Sequence, residues 1–273
     1  MTMQLHLQQV PAANGRIWIR HGFKVFRRAP LALASLFGLF MFIAFAALLL
    51  PGIGVVLFLA SLPLLSLGFM LSTHLVLQKK TPTAGVFIAP LKLTAERRRS
   101  QLLLCGGYAM AVLLIGLIAE WVDGGVGREF VTKYMAGDAN GMADSFADPR
   151  LVWGMGLRFG LAMLLTVPYW HAPALVHWGG QGAAQALFSS ALALWRNRGA
   201  FVLNGLLWGL IMFAAGILPA ALLGALGLTL LIPIVGMLVS IVASTVFYAS
   251  LYFTFVDCFM FGAPQNLLDD QQD

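Results

Sequence analysis

The sequence predicts an all-α membrane protein, a polytopic bundle of six transmembrane helices with one or two amphipathic helices at the cytoplasmic interface. First, 60% of the residues are hydrophobic and 10% are charged, whereas about a quarter of the residues in a typical soluble domain are charged. Second, six apolar segments each approach or exceed the roughly 20 residues that a membrane-spanning helix needs. Third, Lys and Arg are concentrated in alternate connections between these segments. A bilayer must therefore cover much of the chain.

The six segments form one predicted membrane domain, residues 31–259. The predicted spans are 31–50, 53–77, 101–120, 151–178, 200–223 and 230–259. Pro51 and Gly52 separate the first two spans, which we expect to form a hairpin. Pro168 and Pro173 should kink or unwind the fourth, because proline lacks the N–H that an α-helix requires. Residues 1–30 are predicted to be a cytoplasmic N-terminal segment, and residues 260–273 a cytoplasmic tail.

The positions of the basic residues predict the orientation. Thirteen of the 17 Lys and Arg residues lie before span one, between spans two and three, or between spans four and five. Three lie in the connection between spans three and four, which is rich in aspartate. Cytoplasmic connections of membrane proteins carry an excess of Lys and Arg. Both termini are therefore predicted to be cytoplasmic and the acidic connection to lie outside.

Two segments, 17–28 and 183–198, have an amphipathic pattern. In the first, Trp18, Phe23 and Phe26 alternate with basic residues, and in the second, apolar residues precede two arginines. Such helices can lie in the membrane interface and bind anionic headgroups. The alternative is that each segment is the first turns of the following span. The predicted headgroup-binding residues are Arg20, Lys24, Arg27, Arg28, Arg196 and Arg198.

Polar residues inside the spans are candidates for a binding site, because burying such groups in a membrane is costly. If the spans bring these polar residues together, the residues form a polar pocket on the cytoplasmic side. The alternative is that they form separate hydrogen bonds between helices. The residues are His74, Tyr169, His171, His177 and Asp257. A buried histidine can bind metal or haem. His171 and His177 are six residues apart and face different sides of an ideal helix, so no cofactor is predicted and any metal site remains unknown.

Glu120 and Arg158 are predicted to form a structural ion pair, since they lie at similar depths near the outer ends of spans three and four. The two cysteines each lie inside an apolar segment and indicate no disulfide framework. The sequence has no Walker loop, Rossmann glycine motif or HExxH motif. The basic residues flank membrane spans, which favours topology and lipid over nucleic acid as their explanation.

Several short motifs are similar to those of a known family. They are VPAANG from Val10, FRRAP from Phe26, APALV from Ala172 and WRN from Trp195. Together they resemble an uncharacterised family of proteobacterial six-helix inner-membrane proteins with no assigned activity. The resemblance covers most of the chain and implies a bacterial inner-membrane location. It supplies no catalytic residue, and His171 stands where an aromatic residue is expected, which argues against a family-wide role for this histidine.

The pattern favours a non-enzymatic inner-membrane protein, an accessory or scaffold component that binds lipids or other membrane proteins. Short connections and the lack of a catalytic motif support this interpretation. The expected partners are membrane lipids, anionic on the cytoplasmic side, and other integral membrane proteins or a second copy of the chain. Transport of a small molecule or lipid is an alternative that the proline-containing fourth span suggests. A haem- or metal-binding protein is a further alternative.

Overall fold

A computed structural model describes residues 6–259, apart from the side chain of Ala139. Within that range every regular element is helical, and six helices are long and apolar enough to cross a membrane. The predicted fold class and number of spans are therefore confirmed. The helices are α1 Asn14–Arg28, α2 Pro30–Leu48, α3 Gly54–Leu77, α4 Ala95–Asp123, α5 Val126–Ala136, α6 Ala139–Ala147, α7 Pro149–Tyr169, α8 Ala172–His177, α9 Ala183–Arg196, α10 Arg198–Ala225 and α11 Ile232–Phe259. The predicted tail, residues 260–273, lies outside the described residues.

The fourth span is interrupted, as the two prolines predicted. Helix α7 ends at Tyr169, and the short helix α8 begins at Ala172 with Pro173 in its first turn. Proline is well tolerated at that position, because the first N–H groups of a helix have no intrahelical acceptor. Helices α7 and α8 together therefore make up the fourth candidate span.

The two predicted amphipathic helices are present as α1 and α9. Helix α1 packs against α10 and α11, and the side chain of Trp18 is fully buried in that contact. Glycine permits the close approach: a Cβ at Gly22 would lie 2.9 Å from the carbonyl oxygen of Val246. Helix α1 is therefore an integral part of the packed bundle.

Helices α1, α8 and α9 gather at one end of the bundle, which we call the basic end. They contact the last turns of α11, the first turns of α10, the C-terminal half of α3 and the N-terminal half of α4. The main hydrophobic core lies here and includes Trp18, Phe69, Leu175 and Phe255, all fully buried.

The opposite end, which we call the acidic end, contains two short helices that the sequence did not predict. Helices α5 and α6 fold over the last turn of α4 and the first turns of α7. Gly124 and Gly125, both with positive φ, turn the chain between α4 and α5, a conformation that glycine adopts at little cost. The acidic connection is therefore an ordered helical cap.

Candidate functional site

Two of the predicted polar residues, His74 and His171, contact side chains in the last three turns of α11, and a third, Asp257, belongs to those turns itself. Tyr252 binds His74 of α3, Thr254 binds His171 in the break between α7 and α8, and Asp257 binds Trp18 of α1. The five predicted binding residues are therefore distributed around α11 instead of lining one pocket. Their proposed role in binding remains a prediction.

His74 and His177 meet at a common aromatic residue. The Nδ1 atom of His74 lies 2.9 Å from the hydroxyl of Tyr252, and its Nε2 atom lies 2.9 Å from the side-chain amide of Gln78. The rings of both histidines contact Trp178 edge-on, with centroid distances of 6.2 and 5.4 Å. Gln78 is exposed, so this cluster links the aqueous surface of the basic end to α11.

His171 lies in a separate, fully buried contact. Its Nε2 atom lies 3.0 Å from the hydroxyl of Thr254, and its backbone N–H donates to the Ser190 hydroxyl at 3.0 Å. The rings of Phe201, Phe255 and Phe259 surround it. Among residues 6–259 no group of three or more His, Cys, Asp or Glu side chains could hold a metal ion.

Asp257 accepts two hydrogen bonds from α1. The indole N–H of Trp18 donates to its carboxylate at 2.7 Å, and the side-chain amide of Asn14 donates at 2.9 Å. Hydrogen bonds to a charged acceptor are stronger than neutral ones. Asp257 therefore fastens α1 to the end of α11.

Tyr169 lies elsewhere, on a cavity of about 150 Å³ near the middle of the bundle. The cavity opens to the bundle surface and is bounded by α3, α4, α11 and the end of α7. It is lined by Leu62, Pro63, Ser66, Tyr108, Thr166, Tyr169, Trp170, Phe247, Tyr248 and Leu251. Trp170 donates its indole N–H to Thr254 at 3.1 Å, so this lining residue and His171 contact the same hydroxyl.

The predicted headgroup-binding residues all lie at the basic end. Arg20 and Arg27 are exposed on the side of α1 that faces away from the core, Arg28 is also exposed, and Lys24 is half-buried. Arg196 and Arg198 line a surface groove of about 470 Å³ between the chain before α1 and the junction of α9 and α10. We call this the α9–α10 groove.

Asn197, which the sequence did not single out, holds the α9–α10 groove together. Its side-chain oxygen accepts from the N–H of Val10 at 2.8 Å, and its amide donates to the carbonyls of Gln8 and Ala193, both at 3.0 Å. The amide also lies 3.6 Å from Sγ of Cys258. One buried side chain thus joins the N-terminal segment, α9 and α11.

The predicted ion pair between Glu120 and Arg158 is wrong, because each residue has a different partner. Glu120 binds Arg128 of α5 at 3.1 Å, while Arg158 lies 3.8 Å from Asp123. The unpredicted helix α5 supplies Arg128 close to Glu120. Asp123 is on the inward face of α4 and is fully buried, so it is the carboxylate that faces α7.

Two further contacts of α4, one buried and one partly buried, were missed. Gln101 is fully buried and donates to the carbonyl of Pro173 at 2.7 Å, while Arg97 donates to the carbonyl of His177 at 3.1 Å. Both residues bind carbonyl groups of the short helix α8, Gln101 in its first turn and Arg97 at its last residue. Arg97 was recognised only as part of a basic connection.

Over 256 residues the chain is 30% identical to a Burkholderia thailandensis protein that is described as a probable inner membrane protein. The match covers 93% of this chain and 94% of that protein. No family model matches the chain, and no solved structure is similar to it. The relative and the six candidate spans support a multi-pass protein of the inner membrane.

Proposed function

We propose that this chain, which belongs to the family of the Burkholderia thailandensis inner-membrane protein, is a non-enzymatic membrane component that binds anionic phospholipids at its basic end. The α9–α10 groove carries the proposal. In the orientation that the basic residues favour, this end and both termini face the cytoplasm.

The lining of the α9–α10 groove suits a phosphate headgroup. Two arginines, Arg196 and Arg198, contribute to it, and none of the residues among 6–259 that line it is acidic. The exposed Trp195 lies beside them, with the guanidinium carbon of Arg198 5.6 Å from its ring centre. Tryptophan is enriched at membrane interfaces, and arginine is well suited to binding phosphate through several N–H groups.

Helix α1 extends the positive surface. Four basic residues of this helix recur at intervals of three or four residues, which places them along one side: Arg16, Arg20, Lys24 and Arg27. Each basic residue near an anionic membrane surface contributes about 1 kcal/mol of attraction. The groove and α1 therefore provide a headgroup site within a broader basic surface.

The test compares two double variants of equal charge. Replacing Arg196 and Arg198 with glutamine should weaken cardiolipin binding about tenfold or more, since two favourable charges are removed. Replacing Arg128 and Lys133 at the acidic end also removes two positive charges and should leave binding unchanged. Native mass spectrometry of the purified protein with added cardiolipin or phosphatidylcholine measures the bound lipid. Equal cardiolipin binding by the two double variants would contradict the proposal.

Transport of a small molecule or lipid is the second candidate, and the cavity beside Tyr169 favours it. The cavity lies next to the break in span four, where a change in helix angle would have the largest effect on the lining. Trp170 lines the cavity and donates its indole N–H to Thr254. Transport would require this contact to open.

A further inference from the structure

The cavity near the middle of the bundle has an unusual combination of lining groups. Five of its ten lining residues are aromatic, and none is charged. Its volume of about 150 Å³ equals that of apolar protein cavities that bind a single benzene ring. A flat ring of six atoms is therefore the size of molecule that it can enclose.

Three phenol groups on the lining are available for hydrogen bonding. Within residues 6–259 the hydroxyls of Tyr108, Tyr169 and Tyr248 have no hydrogen-bond partner. They come from three different helices, α4, α7 and α11. The rings of Tyr108 and Tyr169 contact each other edge-on, with centroids 5.0 Å apart.

The other polar groups on the lining are already bonded. The Ser66 hydroxyl donates to the carbonyl of Pro63 at 2.9 Å, and the Thr166 hydroxyl donates to that of Met163 at 2.6 Å. The indole of Trp170 donates to Thr254. A hydroxyl without a partner in an apolar setting loses the free energy of a hydrogen bond, so a ligand that accepts from the phenols gains that free energy.

We propose that the phenols of Tyr108, Tyr169 and Tyr248 form a binding site for an uncharged, ring-containing amphiphile that carries carbonyl or hydroxyl oxygens on the ring. The ring fills the aromatic cavity, and its oxygens accept hydrogen bonds from the phenols. Because the cavity opens to the surface of a membrane bundle, the apolar tail of the ligand extends into the surrounding lipid.

The chemistry of the lining separates this ligand from other membrane molecules. A phosphate headgroup needs cationic partners, and the cavity has none. A plain acyl chain would leave all three phenols without a partner. The site is therefore distinct from the α9–α10 groove in position and in ligand class, and it goes beyond the function proposed above.

Binding can be tested with decyl-1,4-benzoquinone, which has the ring, two oxygens and an apolar tail. Decylbenzene, which lacks the oxygens, is the matched probe. The intact protein is labelled with 3-fluorotyrosine, so that the resonances of its five tyrosines report on each ring by fluorine NMR. The quinone should shift the resonances of the three cavity tyrosines saturably and leave that of the exposed Tyr134 in place.

Three single substitutions, Tyr108→Phe, Tyr169→Phe and Tyr248→Phe, remove a hydroxyl and keep the ring. Each should weaken quinone binding about three- to tenfold, the effect of one net hydrogen bond, and leave decylbenzene binding unchanged. Tyr134→Phe is the matched control and should change the binding of neither probe. The proposal is overturned if the quinone binds no more tightly than decylbenzene, if none of the three substitutions weakens its binding, or if its binding is not saturable. Loss of cardiolipin binding in the Arg196 and Arg198 double variant has no bearing on this outcome.

Discussion

The two ends of the bundle are held together in different ways. At the basic end, polar side chains such as Gln101, Asn197 and Asn204 are buried and donate hydrogen bonds across helices. At the acidic end one carboxylate, Asp123, is buried beside Arg158, but the ion pairs of Glu120 with Arg128 and of Glu129 with Lys133 lie on partly or largely exposed side chains. Buried polar groups that lose a partner are costly, whereas exposed ion pairs contribute little.

The apolar side chains show the same difference. Trp18 and Phe255 at the basic end are completely buried, whereas Trp121 and Met135 at the acidic end are 85% and 82% exposed. The forces that hold this fold together should therefore be concentrated at the basic end, where both the proposed lipid-binding surface and the polar contacts of α11 lie. Substitutions at the two ends can test that difference.

The largest effect is expected for Trp18→Ala. It removes a fully buried ring and the indole N–H that binds Asp257, and replacing a buried tryptophan with alanine costs about 3–5 kcal/mol. The matched control is Trp153→Ala, because Trp153 is 73% exposed on α7. Unfolding midpoints in a detergent titration measure both. Similar losses of stability in the two variants would show that the basic end does not contribute more to stability than the acidic end.

A smaller effect is expected for Asn197→Ala. The change leaves the N–H of Val10 and the carbonyl of Gln8 without their partner. A fully buried group left unpaired costs about 1–3 kcal/mol, and these partly buried groups should cost less. Hydrogen exchange at the N–H of Val10 should become faster. Asn204→Ala, which removes one bond from α10 to the carbonyl of Gly15, is the control and should leave exchange at Val10 unchanged. If exchange at Val10 is unaltered in the Asn197 variant, other contacts hold the chain before α1 in place.

The spans could be predicted because they follow from local properties of the sequence. Length and hydropathy define a membrane helix, and the break at Pro173 follows from the geometry of proline. Helix α1 was also predicted from its alternating pattern. Its insertion against α10 and α11 was not, because that depends on Gly15 and Gly22 meeting particular backbone atoms of distant helices.

The site was harder to predict because its groups come from distant parts of the chain. Tyr169 was recognised beside the prolines of span four, but Tyr108 and Tyr248 lie in ordinary apolar segments and gave no local signal. Asp123 was treated as part of an exposed connection. Its burial depends on Gly154, where an added Cβ would lie 2.5 Å from the Asp123 side chain, and such a pairing is not visible in one sequence.

The smallest effect is expected at Asp148, the residue before α7 at the acidic end. Its carboxylate binds the guanidinium and the backbone N–H of Arg150 at 2.7 and 2.9 Å, and these hydrogen bonds lower the pKa of Asp148. A lowered pKa means that the stabilisation is present above the ordinary aspartate pKa and is lost as the pH falls through the lowered value. The start of α7 should therefore loosen only in acid.

Hydrogen exchange in the first turn of α7, followed as the pH is lowered, measures that change. Asp148→Asn keeps an oxygen that can accept from the Arg150 N–H but removes the charge, so exchange should no longer depend on the titration of this residue. Arg150→Gln should move the transition up towards the ordinary aspartate pKa. Since the side chain of Arg150 is 62% exposed, solvent screens this pair, and neither variant should alter the protection of α1 or α11. A loss of protection in α1 on acidification that depends on Asp148 would mean that the two ends are coupled through the bundle.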